Sequence, residues 1–147
     1  MKDKLILLVE DNPMDEELTT RALRKAGITN EIFVARDGSE AVEILLGTEA
    51  APGTALPRLP AVVLLDLKLP KLNGIDVLRR IRGNPLTRLV PVVLLTSSNE
   101  ENDILRGYEF GANSYVRKQV EFSAFNNAVG QLGTYWLSVN ECPPTFE

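Results

Sequence analysis

The chain has 147 residues, of which 44% are hydrophobic and 24% are charged, and its net charge is −4. This composition predicts one soluble globular domain, and the acidic balance without a basic run argues against a nucleic-acid partner. The sequence has no histidine and a single cysteine, which excludes imidazole metal ligands, Ser-His and Cys-His catalysis, a self-contained histidine kinase and an internal disulfide.

Apolar runs in the sequence are short, and none approaches the roughly 20 residues that a membrane helix needs. The first run, Leu5–Val9, is too short for the core of a signal peptide. It leads directly into Glu10 and Asp11, without a small-residue cleavage site. We therefore expect a cytoplasmic protein that has no membrane partner.

Short apolar runs that indicate strands alternate along the chain with segments that have the apolar periodicity of helices. In chain order, the predicted strands are Leu5–Val9, Ile32–Val34, Ala61–Leu65, Val92–Leu95 and Tyr115-Val116. The helices between and after them begin near Asn12, Ser39, Ile75, Glu100 and Phe122. Uniformly apolar strands alternating with amphipathic helices imply a parallel sheet covered on both faces. We therefore predict an α/β fold, a flavodoxin-like doubly wound (βα)5 domain with strand order 2-1-3-4-5.

Two segments lie outside this repeat. Residues 47–60 are rich in Ala, Pro and Gly, and we expect an unusually long loop between the second helix and the third strand. Residues 140–147 contain Pro143-Pro144, which excludes regular structure, so we expect a C-terminal tail there. The predicted domain spans residues 1–139, and we expect no output domain.

Reactive side chains stand where the predicted strands end. Glu10 and Asp11 follow the first strand, Asp66 follows the third, Thr96 ends the fourth and Lys118 ends the fifth. In the order 2-1-3-4-5 the first and third strands are neighbours, and ligands bind in the crevice at that switch point. Three carboxylates brought together repel one another unless a cation or protons neutralise them. Oxygen ligands of this kind suit Mg²⁺.

This set of side chains fits phosphoryl transfer. Asp66 can act as a nucleophile and form an aspartyl phosphate. Mg²⁺ and Lys118 can neutralise the charge of the transferring group, while the Thr96 hydroxyl donates to one of its oxygens. Each residue alone also has an ordinary explanation as a helix cap, turn residue or solvated side chain. The combination at four strand ends favours the chemical interpretation.

On these residues the chain resembles the receiver domains of bacterial response regulators, over roughly residues 4–138. The motifs that carry the resemblance are Val9-Glu10-Asp11-Asn12, Leu65-Asp66-Leu67-Lys68-Leu69-Pro70 with Asn73-Gly74, Pro91–Ser97, Gly111-Ala112 and Tyr115–Lys118. The long loop and the ending Leu132–Asn140 resemble a subgroup, the small response regulators that are paired with phytochrome-type histidine kinases.

The resemblance implies a phosphorelay switch that a partner histidine kinase, of the phytochrome type, phosphorylates on Asp66. It implies that Glu10, Asp11, Asp66 and a main-chain carbonyl near Lys68 surround Mg²⁺. It further implies that Thr96 and Lys118 contact the phosphoryl group and that Thr96 and Tyr115 form the switch. The protein would catalyse only its own phosphorylation and dephosphorylation and would signal to an unknown downstream protein.

The C-terminal third also predicts a homodimer. Tyr135 and Trp136 are adjacent, so on a helix they lie about 100° apart and do not both point into one core. Leu137, Val139 and Phe146 add apolar surface beyond the last βα unit. Exposed aromatic surface of this kind is typical of an interface. The alternative is an ending that folds back onto its own domain.

One position departs from the receiver pattern, because Gln119 follows Lys118 where these domains usually have proline in a cis bond. Either that bond is cis here too, or it is trans and the loop differs. Three other functions remain open. A haloacid-dehalogenase-type phosphohydrolase would have an acid at the position of Lys68. A degenerate receiver would only bind a partner, and a flavodoxin-like cofactor binder would need a phosphate-binding loop in place of Glu10 and Asp11.

Overall fold

The computed structural model describes residues 3–144. The strands are β1 (Ile6–Val9), β2 (Ile32–Ala35), β3 (Val62–Leu65), β4 (Val92–Thr96) and β5 (Ser114–Arg117). The helices are α1 (Pro13–Lys25), α2 (Gly38–Leu46), α3 (Gly74–Gly83), α4 (Glu101–Glu109) and α5 (Phe122–Thr134). A short π-helical segment, Tyr135–Val139, continues α5.

The five strands form one parallel sheet in the order β2-β1-β3-β4-β5, which confirms the predicted fold. Side chains of β1 alternate between the two faces of this sheet. Leu5, Leu7 and Val9 pack with apolar residues of α2 and α3, whereas Ile6 and Leu8 pack with those of α1 and α5. Because strands covered on both faces have no solvent-facing side, they are apolar at every position. No helix among residues 3–144 is both long enough and apolar enough to span a membrane.

Side-chain caps fix the first turns of four helices, α1, α2, α3 and α5. The carboxamide oxygen of Asn12 accepts from the amides of Met14 and Asp15 and so caps α1, as its position before Pro13 predicts. Asn73 caps α3 in the same way. The second helix begins one residue before the predicted Ser39, because the carboxylate of Asp37 accepts from the Glu40 amide.

The long loop before β3 is held against the domain by hydrogen bonds and by one buried side chain. Gly47 and Pro52 form an isolated antiparallel bridge, and the Thr54 hydroxyl donates to the main-chain oxygen of Ile44. Leu56 is buried and belongs to the core cluster of α2 and α3. The loop therefore lies against the C-terminal end of α2.

The ending of the chain packs partly on its own domain. Leu137 is fully buried, and Trp136 and Cys142 contact the core between the sheet and helices α1 and α5. Tyr135 keeps 47% of its surface exposed. Residues 140–144 form neither helix nor strand, as predicted. The last three residues of the predicted tail, which include Phe146, lie outside the described part of the chain.

Candidate functional site

The site begins with the register between β1 and β3. Val9 lies opposite Leu65, and the Asp66 amide donates to the Val9 oxygen at 3.2 Å. Glu10 and Asp66, the residues that directly follow these two strands, therefore lie side by side at the carboxyl-terminal edge of the parallel sheet. Both are buried, with exposed fractions of 3% and 8%. Two carboxylates in so little solvent require a neutralising partner.

A group of three carboxylates forms at this edge. One oxygen each of Glu10, Asp11 and Asp66 lies within 4.8 Å of the others, and the Asp11 side chain opens to solvent. Hard oxygen ligands with an open side for water fit a divalent cation such as Mg²⁺. The Lys68 amide donates to Oδ1 of Asp66 at 3.3 Å, so the main chain of Lys68 is near the group. The ligand role of its carbonyl stays a prediction.

The ammonium of Lys118 lies against these carboxylates. Its Nζ atom is 2.6 Å from Oε1 of Glu10 and 3.0 Å from Oδ2 of Asp66, and its side chain is 9% exposed. Burial alone would lower the pKa of Lys118, but its hydrogen bonds to Asp15 and Glu10 and the charge of Asp66 outweigh burial and raise that pKa above its usual value. Lys118 is therefore a fixed positive charge beside Asp66.

Asp15 is a member of the site that the sequence analysis missed. Its Oδ2 atom accepts from Nζ of Lys118 at 2.8 Å. The residue stands in the first turn of α1, where an acidic side chain is ordinarily explained by the helix dipole. The available signal was its place in the first turn of the helix that follows Glu10 and Asp11.

Thr96 and Tyr115 are joined through the loop between β4 and α4. Thr96 is fully buried at the end of β4, and the Lys118 amide donates to its main-chain oxygen at 2.7 Å. The Ser98 amide approaches its hydroxyl oxygen at 3.5 Å, a weak contact. The Tyr115 hydroxyl donates to the Ser98 oxygen at 2.9 Å, and burial raises the pKa of this phenol. The ring of Tyr115 is thus tied to the segment that follows Thr96.

Gly74 lets the start of α3 lie close to the main chain of Asp66 and Leu67. A Cβ atom at this position would lie 2.3 Å from the Asp66 main-chain oxygen and 2.7 Å from Cα of Leu67. The Gly74 amide donates to the Leu67 oxygen at 2.8 Å, which fixes the start of α3 against the loop after Asp66. Glycine is therefore required for the observed path of that loop.

The predicted interface residues lie elsewhere. The main-chain oxygen of Leu137, in the same short π-helical segment as Tyr135 and Trp136, accepts from Nζ of Lys4 at 3.1 Å. Lys4 precedes β1, whereas Glu10 follows it, so this segment sits at the opposite edge of the sheet from the carboxylates. Tyr135 and Trp136 meet edge to face with ring centroids 4.9 Å apart.

The family model of the response regulator receiver domain matches residues 6–130. The chain belongs to the response regulator receiver family. This receiver is 40% identical to the probable methanogenesis regulatory protein FilR2 of Methanothrix harundinacea over 139 residues, 95% of this chain and 87% of that protein. It is 36% identical to the response regulator Rcp1 of Synechocystis over 140 residues, 95% of this chain and 93% of Rcp1. Family membership disfavours the phosphohydrolase and cofactor-binding alternatives.

Solved structures agree with the receiver fold over nearly the whole chain. The phosphorylated cyanobacterial phytochrome response regulator RcpA matches with a TM-score of 0.86 at 35% identity, covering 97% of this receiver and 99% of RcpA. The Mn²⁺-bound form of Rcp1 matches with a TM-score of 0.82 at 35% identity, covering 96% and 99%. The predicted resemblance to phytochrome response regulators is confirmed.

Proposed function

We propose that this receiver accepts a phosphoryl group on Asp66 from a partner histidine kinase, in a Mg²⁺-dependent reaction, and signals through protein–protein contact. One observation carries the proposal: Nζ of Lys118 lies 3.0 Å from Oδ2 of Asp66, beside three carboxylates whose oxygens lie within 4.8 Å of one another. A nucleophile, a fixed cation and a set of metal ligands are thus together at one edge of the sheet.

The nucleophile of the proposed reaction is the Asp66 carboxylate. One of its oxygens attacks the phosphorus of a phosphorylated histidine, an O–P bond forms and the P–N bond breaks. The histidine nitrogen keeps the electron pair of the broken bond. Lys118 donates to a phosphoryl oxygen, and the Thr96 hydroxyl donates to another. Positioning and charge neutralisation supply most of such catalysis, so the absence of histidine from this chain is no obstacle.

Glu10, Asp11, Asp66 and the Lys68 carbonyl would hold the cation. Bound there, Mg²⁺ neutralises the phosphoryl oxygens and the surplus charge of the carboxylates. The geometry of the three carboxylates and the Mn²⁺ bound in the structure of the similar protein Rcp1 support a divalent ion. Magnesium is the proposed physiological ion because it combines one or two carboxylates with phosphate oxygens.

The switch of the proposal is the loop between β4 and α4. A phosphoryl group adds about −1.5 to −2 charges and strong acceptor oxygens. Movement of Thr96 towards it would draw the Ser98 segment along, and the hydrogen bond from Tyr115 would carry the change to β5. The protein acts as a switch rather than an enzyme with an external substrate, and the intact acidic set together with Lys118 disfavours a degenerate receiver.

The partners of the proposed switch are a kinase, a downstream protein and a second copy of this chain. A phytochrome-type histidine kinase is proposed because the similar protein RcpA is a phytochrome response regulator. A homodimer through Tyr135 and Trp136 is proposed because half of the Tyr135 surface is exposed beside the T-shaped pair. Neither a nucleic acid nor a membrane is proposed as a partner, and the proposed location is the cytoplasm.

The proposed function is tested with acetyl phosphate as the phosphoryl donor. The wild-type protein should gain the mass of one phosphoryl group in the presence of Mg²⁺ and much less of it after chelation. The Asp66→Asn variant should gain none. Equal labelling of the two proteins would overturn the proposal.

A further inference from the structure

We propose that Asp15 is a positioning residue that keeps the Lys118 ammonium at the site when Glu10 and Asp66 bind the metal ion. This inference rests on the proposed function, since it concerns the same phosphoryl transfer. It assigns a role to a carboxylate that belongs neither to the three metal-ligand candidates nor to the phosphoacceptor.

The Lys118 ammonium donates three hydrogen bonds, each to a different carboxylate. An ammonium has three N–H donors, and the observed acceptors are Glu10 at 2.6 Å, Asp15 at 2.8 Å and Asp66 at 3.0 Å. Two of these carboxylates also belong to the group of three whose oxygens lie within 4.8 Å of one another. Asp15 is the remaining acceptor.

The side chain of Asp15 is placed by its own helix. The amide of Asp15 donates to Oδ1 of Asn12 at 3.1 Å, and the Met14 amide donates to the same oxygen at 2.9 Å. This cap fixes the first turn of α1. Since the carboxylate is 34% exposed, it does not need the metal ion to be neutralised. Asp15 thus stands on a capped helix turn and is not one of the three metal-ligand candidates.

The segment after Lys118 gives the ammonium little support of its own. The Lys118 amide makes the last main-chain hydrogen bond between β5 and β4, to the oxygen of Thr96. No peptide bond among residues 3–144 is cis, so the Lys118–Gln119 bond is trans, and Val120 is fully exposed. The direction of the Lys118 side chain therefore depends on the carboxylates that its ammonium meets.

A metal ion changes the balance among those carboxylates. A divalent cation held by Glu10 and Asp66 would repel the ammonium, and these two residues would lose part of their attraction for it. Asp15 retains its negative charge at 2.8 Å. Held there, Lys118 is free to give one N–H to a phosphoryl oxygen. Without that charge, the ammonium either competes with the metal ion or moves to solvent, and both outcomes slow phosphorylation.

The test compares Asp15→Asn, Asp15→Glu and the matched control Glu17→Gln, which removes an exposed charge from the same helix. With saturating Mg²⁺ and acetyl phosphate, Asp15→Asn should lower the labelling rate of Asp66 about tenfold, the loss expected for one charge-assisted hydrogen bond. Asp15→Glu should restore most of the rate, and Glu17→Gln should match the wild type.

A second readout follows the ammonium itself. The side-chain NH₃⁺ resonance of Lys118, assigned by its loss in Lys118→Gln, should persist with Mg²⁺ in the wild type and disappear through fast exchange in Asp15→Asn. A wild-type rate in Asp15→Asn, a slow Asp15→Asn with an unchanged ammonium resonance, or equal slowing in Glu17→Gln would overturn this inference alone. A wild type that takes no label on Asp66 would instead overturn the proposed function.

Discussion

The Nζ atom of Lys118 lies 3.0 Å from Oδ2 of Asp66 in a chain whose Lys118–Gln119 bond is trans. Lys118 therefore reaches the site even though glutamine, and not the usual proline, follows it. Hydrogen bonds that the ammonium donates to three carboxylates hold it there. The position of the Lys118 ammonium therefore depends on Glu10, Asp15 and Asp66 as much as on the loop that follows β5.

The first prediction concerns Asp11, the exposed member of the carboxylate group. Asp11→Asn should weaken Mg²⁺ binding at least about tenfold, or roughly 1.4 kcal/mol, because one of three negative ligands is lost. Isothermal titration calorimetry measures the change. Glu49→Gln, an exposed acid in the long loop, is the control and should leave the affinity unchanged. Equal affinities for Asp11→Asn and the wild type would exclude Asp11 as a ligand.

The second prediction concerns the hydrogen bond from Tyr115 to Ser98. Tyr115→Phe should lower the free energy of unfolding by about 1 kcal/mol, because the partly buried hydrogen bond to the main-chain oxygen of Ser98 is lost. The same variant should also prevent a change at Asp66 from reaching β5, because the hydrogen bond between Tyr115 and Ser98 is lost. With beryllofluoride, the amide resonances near residue 115 should shift in the wild type and stay in place in Tyr115→Phe.

The control for that experiment is Tyr108→Phe, which changes an exposed ring on α4. It should behave as the wild type in both measurements. If resonances at Asp66 respond to beryllofluoride while those of Ser98 and Tyr115 in the wild type do not, the proposed coupling is wrong.

The third prediction uses two glycines of the same helix. Gly74→Ala should destabilise the fold by about 1–3 kcal/mol, because the added methyl group overlaps the main chain of Asp66 and Leu67. Gly83→Ala, at the other end of α3, meets no atom within 4 Å and should be neutral or stabilising by up to about 1 kcal/mol. Urea unfolding compares them. Equal stability of the two variants would refute the steric argument.

The fourth prediction concerns the homodimer. Deleting the ending after residue 133 would also remove Leu137 from the core, so a surface substitution is the better test. Tyr135→Asp should dissociate the dimer in sedimentation equilibrium, because it places a charge in an apolar interface. Tyr108→Asp, at a ring exposed to a similar degree, should leave the dimer intact. If Tyr108→Asp dissociates the dimer and Tyr135→Asp does not, the interface lies on α4. A wild-type protein that is monomeric at high micromolar concentration would exclude the dimer.

The sequence was sufficient for the fold because uniform apolar strands and amphipathic helices alternate without interruption. It also predicted the neighbours Glu10 and Asp66, since the carboxyl ends of parallel strands meet at one edge. Asp15 was missed because its contact with Lys118 depends on the orientation of the first turn of α1, which apolar periodicity does not determine. The bond from Tyr115 to a main-chain oxygen was missed because such an acceptor leaves no mark in the sequence.

The C-terminal segment shows a second limit. The adjacency of Tyr135 and Trp136 predicted that they do not both point into one core, and the structure agrees, because Tyr135 is exposed and Trp136 packs against the core. The π-helical segment that carries them widens the last turn, and such segments are too rare to be predicted from periodicity.

The position of the phosphoryl group tests the central claim most directly. After reaction with acetyl phosphate and Mg²⁺, borohydride reduces an aspartyl phosphate to homoserine, and tandem mass spectrometry of peptides then identifies the modified residue. The account predicts homoserine at position 66 and at no other aspartate, with none formed when Mg²⁺ is chelated. Homoserine at Asp11 or Asp15 with Asp66 unmodified would contradict it.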